Sequence, residues 1–197
     1  MEILFAGLCR DISCPQTAAL AARAVERRHP VLHSGPLESP AEYERKRDRL
    51  AGQLHAASRE GRRVRLAKDT SNLFRHRASS DRFSIDVRNL NRVVRIDPEK
   101  LLATVEGMTT YDDVVRATLA YNLLPCVTPE LKTITVGGAI SGLGIESSSF
   151  RFGLAHESVE EMEVVTGDGS VVKCSHEMNP NLFYALPNSY GTLGYIV

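Results

Sequence analysis

The fold and function of this chain are best inferred from Thr133-Ile-Thr-Val-Gly-Gly-Ala-Ile-Ser-Gly-Leu-Gly-Ile-Glu-Ser-Ser-Ser149. Glycine lets the backbone adopt positive φ and lets a ligand lie directly against the chain. Hydroxyl groups and free backbone N–H groups can then donate hydrogen bonds to phosphate oxygens. The stretch therefore predicts a loop that binds a nucleotide. Its glycines are Gly137, Gly138, Gly142 and Gly144.

Two common nucleotide-binding loops do not match this stretch. A P-loop requires G-x-x-x-x-G-K-[ST], whereas Gly138 and Gly142 are too close together and no Gly-Lys follows. A dinucleotide-binding fingerprint requires G-x-G-x-x-G before a helix, but Ser147 stands at the third glycine position. One structural alternative stays open, in which the glycines allow a tight bend between packed layers.

Composition narrows the class of protein. Hydrophobic residues make up 43% of the 197, so the chain can form a core. Lys+Arg and Asp+Glu both number 24, which gives no global attraction to nucleic acid. No apolar run has the roughly 20 residues of a transmembrane helix. The four cysteines have no metal-ligand spacing, so we expect no metal and a cytoplasmic protein, with peripheral membrane contact as an alternative.

The first half of the sequence predicts a helix, a strand and a second polar loop. Residues 18–24 suit a short helix, but no function is assigned to residues 1–40. Ser39 and Pro40 suit the N-terminus of a helix that ends near Gly61. Residues 63–67 alternate as a strand does, and a compact polar turn follows. This turn is a second candidate phosphate loop: Lys68, Asp69, Thr70, Ser71 and Asn72.

The remaining sequence predicts mostly short strands. Residues 83–87, 92–96 and 102–106 suggest a strand followed by an antiparallel pair. Thr110 caps a helix to about Tyr121, and residues 159–174 form a hairpin around Gly167-Asp-Gly169. Asn179 and Pro180 begin a short helix, and residues 195–197 read as a strand.

Several of these motifs, in this order, resemble a known family. They are Pro129-Glu130, the glycine stretch, Phe152-Gly-Leu154, Asp168-Gly-Ser170 and Gly191-Thr-Leu-Gly-Tyr-Ile-Val197. The chain resembles the FAD-binding (PCMH-type) domain of the vanillyl-alcohol oxidase/p-cresol methylhydroxylase flavoproteins. It is most similar to the delta(24)-sterol reductase branch.

The resemblance implies an α+β fold of two subdomains with FAD between them. The expected subdomains are residues 41–125 and an incomplete 126–197, with the cap domain and the final return of the chain missing. The resemblance assigns residues 68–72 to the first pyrophosphate loop and the glycine stretch to the second. The implied cofactor-binding residues are Lys68, Asp69, Thr70, Ser71, Asn72, Pro129, Glu130, Thr135, Val136, Gly137, Gly138, Ala139, Ser141, Gly142, Gly144, Ile145, Glu146, Ser147, Gly194 and Ile196.

The implied function is that of a flavin-dependent oxidoreductase. Many relatives carry a Gly-Gly-His in the first loop, whose histidine can bond to the flavin; residues 68–72 have no histidine, so we expect non-covalent FAD. The sterol-reductase branch implies reduction of a C=C bond of a lipid with NAD(P)H. The alternatives are an alcohol or lactone oxidase of the same superfamily and a fragment without activity. The sequence assigns no catalytic residue and no oligomeric state.

Overall fold

A computed structural model describes residues 3–5, 8–9, 39–68 and 82–197 of the chain. The helix predicted at residues 18–24 and the loop residues 69–72 lie outside these ranges. The strands are β1 (Ile3–Phe5), β2 (Leu8–Cys9), β3 (Val64–Ala67), β4 (Phe83–Asp86), β5 (Val93–Asp97), β6 (Leu102–Val105), β7 (Leu124–Pro125), β8 (Val159–Val165), β9 (Val171–Ser175) and β10 (Tyr195–Ile196). The α-helices are α1 (Pro40–Arg59), α2 (Tyr111–Leu119), α3 (Val136–Ser141), α4 (Ser149–Phe152) and α5 (Pro180–Ala185), and a 3₁₀ helix spans Ala155–Ser158.

The largest sheet has six strands, in the order β10-β8-β1-β6-β5 with β9 on β8. All its pairings are antiparallel. The predicted antiparallel pair is β5–β6, and the predicted hairpin is β8–β9. Strands from both sides of residue 125, the expected subdomain boundary, therefore share one sheet. The division into two subdomains stays a prediction.

Two smaller sheets complete the strand pairing. β3 and β4 are parallel, with Val64 opposite Phe83, and β2 pairs with β7 in the antiparallel sense. Parallel strands cannot be joined by a two-residue hairpin turn, so this pair is not the hairpin type seen in the main sheet.

The predicted helices α1 and α2 form because their caps and apolar spacing agree. The Ser39 hydroxyl accepts a hydrogen bond from the Glu42 N–H at 3.3 Å, and Gly61 follows the end of α1 with φ of 63°. The Thr110 hydroxyl accepts from the Asp113 N–H at 3.2 Å at the start of α2. The buried face of α1 comprises Tyr43, Leu50, Leu54 and Ala57.

Two hydrophobic clusters hold these elements together. The larger one lies between the main sheet and α2, α3 and α5, and includes Tyr111, Ile140 and Phe183. The smaller one lies under α1, includes Tyr43 and Met108, and has Leu66 and Tyr195 packed against it. The last strand contacts both clusters, because Tyr195 packs against the smaller one and Ile196 belongs to the larger one. The last strand therefore passes between the two cores.

Candidate cofactor-binding site

A cavity of about 80 Å³ lies where four segments of the described chain meet. These segments are the end of β3, the turn after β6, α3 with the residue before it, and the final loop (residues 186–194) with β10. Pockets that enclose a whole drug-sized ligand measure roughly 300–1,000 Å³, so the described residues enclose only part of a large ligand. We call this cavity the cleft. It is lined by Leu66, Lys68, Gly107, Met108, Thr135, Gly137, Gly138, Ser141, Tyr190, Gly191, Gly194, Tyr195 and Ile196.

The cleft brings together predicted residues from three separate parts of the sequence. They are Lys68, Thr135, Gly137, Gly138, Ser141, Gly194 and Ile196. Other predicted residues do not line it, and their contact with a cofactor stays a prediction. These are Pro129, Glu130, Val136, Ala139, Gly142, Gly144, Ile145, Glu146 and Ser147, while residues 69–72 lie outside the described ranges.

The cleft also contains residues that the sequence did not identify. Gly107 and Met108 follow β6, and no local signal marks them, because their place depends on pairing with distant segments. The motif Gly191-Thr-Leu-Gly194 was a usable signal for the site, although only Gly194 was predicted to bind the cofactor. Leu66, Tyr190 and Tyr195 also line the cleft.

The backbone donors at the beginning of α3 are already engaged within the protein. The Val136 N–H donates to the Thr109 carbonyl and the Gly137 N–H to the Gly107 carbonyl, both at 2.9 Å. The Gly138 N–H donates to the Thr135 hydroxyl oxygen at 3.2 Å. The first two of these N–H groups dock α3 onto the turn after β6, and the third bonds to the N-cap residue of α3 itself. Their expected role as donors to phosphate therefore has no support from this geometry.

The glycines of the stretch permit close packing rather than unusual backbone angles. None of the four has positive φ, whereas Leu143 between them has φ of 59°. A Cβ on Gly137 would lie 2.8 Å from the Gly107 carbonyl oxygen, and one on Gly144 would lie 3.3 Å from two alanine Cβ atoms. The structural alternative raised by the sequence thus explains these two glycines. Close packing also leaves bare backbone along the cleft wall.

Positive charge lies on the β3 side of the cleft. Lys68 is half-buried at its edge. Arg65 is exposed in β3, and Arg63 and Arg82 are exposed directly before β3 and β4. Basic residues outnumber acidic ones from residue 39 to 100, and the reverse holds from 101 to 197. The neutral net charge therefore conceals an excess of basic residues in the segment that contains Lys68, which favours anions there.

A buried carboxylate lies directly beside the cleft. Glu106 is 0% exposed, and Lys46 Nζ lies 3.2 Å from its Oε1. The Arg92 N–H donates to its Oε2 at 2.7 Å. Paired in this way, the charge of Glu106 is compensated from α1 and from the backbone.

Two tyrosines of the final segment face the cleft in different ways. The Tyr195 hydroxyl is buried and has no hydrogen-bond partner among the described residues. Burial, with the charge of Glu106, raises the pKa of Tyr195 far above its usual value, so the phenol stays neutral. Tyr190 has φ of 50°, and its N–H donates to the Ser141 carbonyl at 2.9 Å. Its side chain is 49% exposed.

His156 lies in the 3₁₀ helix and does not line the cleft. Burial lowers the pKa of its imidazole, so the neutral form is favoured. Within the described ranges, no group of three or more His, Cys, Asp or Glu side chains could hold a metal ion. Within the same ranges, no helix is long and apolar enough to cross a membrane.

The chain belongs to the FAD binding domain family, whose sequence pattern it matches over residues 45–175. FAD is therefore the cofactor of this domain. In fold, it is similar to 6-hydroxy-D-nicotine oxidase from Arthrobacter nicotinovorans, with a TM-score of 0.67 and 22% identity. That similarity covers 77% of this chain and 33% of the oxidase.

Curated relatives include reductases and dehydrogenases. The chain is 40% identical to the delta(24)-sterol reductase of Pisum sativum over 116 residues, which is 58% of this chain and 20% of that protein. Over 109 residues it is 41% identical to the Homo sapiens enzyme of the same name, covering 55% and 21%. Cytokinin dehydrogenase 2 of Oryza sativa subsp. japonica is 33% identical over 126 residues, covering 60% and 22%. The chain thus spans about a fifth of the length of these relatives.

The residues of the cleft fit a part of FAD. Gly138 lines the cleft with backbone alone, whereas Gly194 lacks a side chain because a Cβ there would lie 2.6 Å from Val164 Cγ1. Lys68 offers a positive charge for the diphosphate. The Ser141 hydroxyl donates to the Gly137 carbonyl at 2.7 Å, so its oxygen can act as an acceptor for a ligand.

Proposed function

We propose that this chain is the FAD-binding part of an oxidoreductase that reduces a C=C bond of a lipid or sterol-like substrate with NAD(P)H. The main support for FAD binding is the cleft itself, where Lys68, the beginning of α3 and the last strand meet. The 40% identity to a delta(24)-sterol reductase supports the direction of the reaction and the class of substrate. When bound, FAD supplies hydride transfer at its flavin ring.

In this proposal, the residues of the chain bind and orient the cofactor. Lys68 neutralises charge on the diphosphate, while the oxygen of Ser141 accepts from a ribose hydroxyl or an adenine amine. The engaged N–H groups of Val136 and Gly137 keep α3 fixed on the turn after β6. A fixed cleft wall holds the cofactor in one position.

The first test is a titration of the chain with FAD, followed by flavin fluorescence. We expect saturable binding and complete release of yellow flavin into the supernatant after acid precipitation, because the attachment is non-covalent. A chain that stays colourless and does not alter FAD fluorescence would contradict the proposal.

Replacing Lys68 tests which part of the cleft holds the diphosphate. We expect Lys68→Gln to weaken FAD binding about tenfold, because hydrogen bonds to charged groups contribute about 1.5–3 kcal/mol. Lys132→Gln is the matched control, since Lys132 is exposed and does not line the cleft. Equal affinities for both variants would place the diphosphate away from Lys68.

An oxidase of the same superfamily is the second candidate, and the match to cytokinin dehydrogenase 2 favours the oxidative direction. Anaerobic mixing of the FAD-loaded protein with NAD(P)H separates the two. Bleaching of the flavin by NAD(P)H, with slow recovery in air, is the expected result for a reductase. A flavin that NAD(P)H leaves oxidised, but that reoxidises rapidly in air after chemical reduction, supports the oxidase.

A further inference from the structure

We propose that the ring of Tyr190 is a stacking platform for a planar ring of FAD at the edge of the cleft. This inference rests on the proposed FAD binding. It begins from the position of the side chain, because Tyr190 lines the cleft and yet is 49% exposed. An aromatic ring that borders a cavity and remains half open to solvent can cover a ligand ring on one face.

The backbone of Tyr190 is held in a conformation that tyrosine disfavours. Its φ is 50°, in the left-handed region that bulky residues rarely adopt. Asn188 and Gly191 on either side also have positive φ, at 62° and 78°. Strain of this kind persists where the surroundings enforce it, and it collects at ligand sites.

One hydrogen bond and one close approach place the ring beside the glycine stretch. The Tyr190 N–H donates to the Ser141 carbonyl at 2.9 Å, which ties the final loop to the end of α3. Its Cε1 lies 4.0 Å from the place where a Cβ on Gly142 would stand, an ordinary van der Waals separation, so the edge of the ring lies next to Gly142. A Cβ on Gly142 would lie 2.8 Å from the Gly138 carbonyl oxygen, which gives this glycine a packing reason that does not require direct contact with FAD.

The test measures the affinity for FAD of three variants of the full chain. The melting temperature of each FAD-free variant is measured as well. Tyr190→Phe keeps the ring, and we expect its affinity to stay within about twofold of the unmodified chain. Tyr190→Asn removes the ring but suits left-handed backbone, so we expect roughly tenfold weaker binding with an unchanged or higher melting temperature. Tyr121→Asn is the control, because Tyr121 is 48% exposed and does not line the cleft.

Titrations with ADP and FMN identify the ring that stacks. A loss for Tyr190→Asn confined to FMN assigns the platform to the flavin, and a loss confined to ADP assigns it to the adenine; each supports the inference. Unchanged FAD affinity in Tyr190→Asn overturns it, as does an equal loss in Tyr190→Phe, which would assign the effect to the hydroxyl. If the unmodified chain binds no FAD, the proposed function fails together with this inference. If it binds FAD and Tyr190→Asn binds equally well, only this inference fails.

Discussion

Buried polar groups are paired under the inner face of α1, but within the described ranges two of them lack a partner in the final segment, which is the final loop with β10. Under α1, the Tyr43 hydroxyl donates to Glu163 at 2.8 Å, and Lys46 pairs with Glu106. In the final segment, the buried hydroxyls of Ser189 and Tyr195 have no hydrogen-bond partner among the described residues.

Backbone geometry follows the same division. The α1 segment is regular helix from Pro40 to Arg59, whereas Asn188, Tyr190 and Gly191 all have positive φ. Unpaired buried groups and left-handed residues both cost free energy, and such costs are expected where a ligand binds. We infer that α1 contributes stability, whereas the final loop carries the costs that are typical of a ligand-binding segment.

The largest expected effect comes from breaking the buried pair under α1. Glu106→Gln removes the charge that compensates Lys46 and weakens the bond from the Arg92 N–H. Breaking buried pairs costs about 3–5 kcal/mol, and we expect about 3 kcal/mol because the long side chain of Lys46 can reach water. Urea unfolding of the FAD-free protein measures it.

Glu177→Gln serves as the control for this variant, because Glu177 is exposed. Its free energy of unfolding should stay within about 0.5 kcal/mol of the unmodified value. If Glu106→Gln left the free energy of unfolding equally unchanged, the α1 face would not be the stabilising region, and the contrast between α1 and the final loop would be wrong.

A smaller loss is expected from Tyr43→Phe. The variant removes the donor to Glu163, while Arg47 Nη1 remains 3.4 Å from the same oxygen. Leaving a buried acceptor with one donor fewer costs about 1–3 kcal/mol, and the remaining arginine favours the lower end. The same urea unfolding experiment measures it, and a stabilised variant would contradict the assigned hydrogen bond.

Tyr195→Phe is the counterpart of Tyr43→Phe, and we expect it to have the smallest effect on stability. Because its hydroxyl has no partner, removing it should change the free energy of unfolding by less than about 0.5 kcal/mol, or should stabilise the protein slightly. Unfolding of the FAD-free protein measures this difference against Tyr43→Phe. A loss as large as that of Tyr43→Phe would show that the hydroxyl is bonded in solution, which would remove one half of the comparison.

Much of the secondary structure could be predicted because its causes are local. Ser39 and Thr110 each accept a hydrogen bond from an N–H three residues further on, so both helix starts are encoded within one turn. The hairpin β8–β9 is likewise encoded by its turn residues and by alternation in its strands. The helix α3 was not predicted, since glycine disfavours a helix and its N-terminus depends on the distant turn after β6.

The candidate site was predictable only in part. Lys68 stood out as the charged residue of a polar turn, and Thr135 and Ser141 stood out as hydroxyl residues beside glycines. All three line the cleft. Gly107 was missed because its importance comes from contacts with Gly137 and Ile196, which lie far along the chain. Tyr190 could not be assigned from a sequence pattern, because left-handed backbone at a tyrosine has no local signature.

By itself, the sequence determined the class of cofactor and the approximate bounds of α1, α2 and the hairpin β8–β9, because caps, turns and motifs act over a few residues. Only the tertiary structure decided what the glycines of the stretch do. Gly137 packs closely against Gly107, and Gly144 packs against two alanines, where a Cβ would crowd its neighbours. Such contacts depend on the register of segments that are distant in sequence, and no local pattern specifies that register.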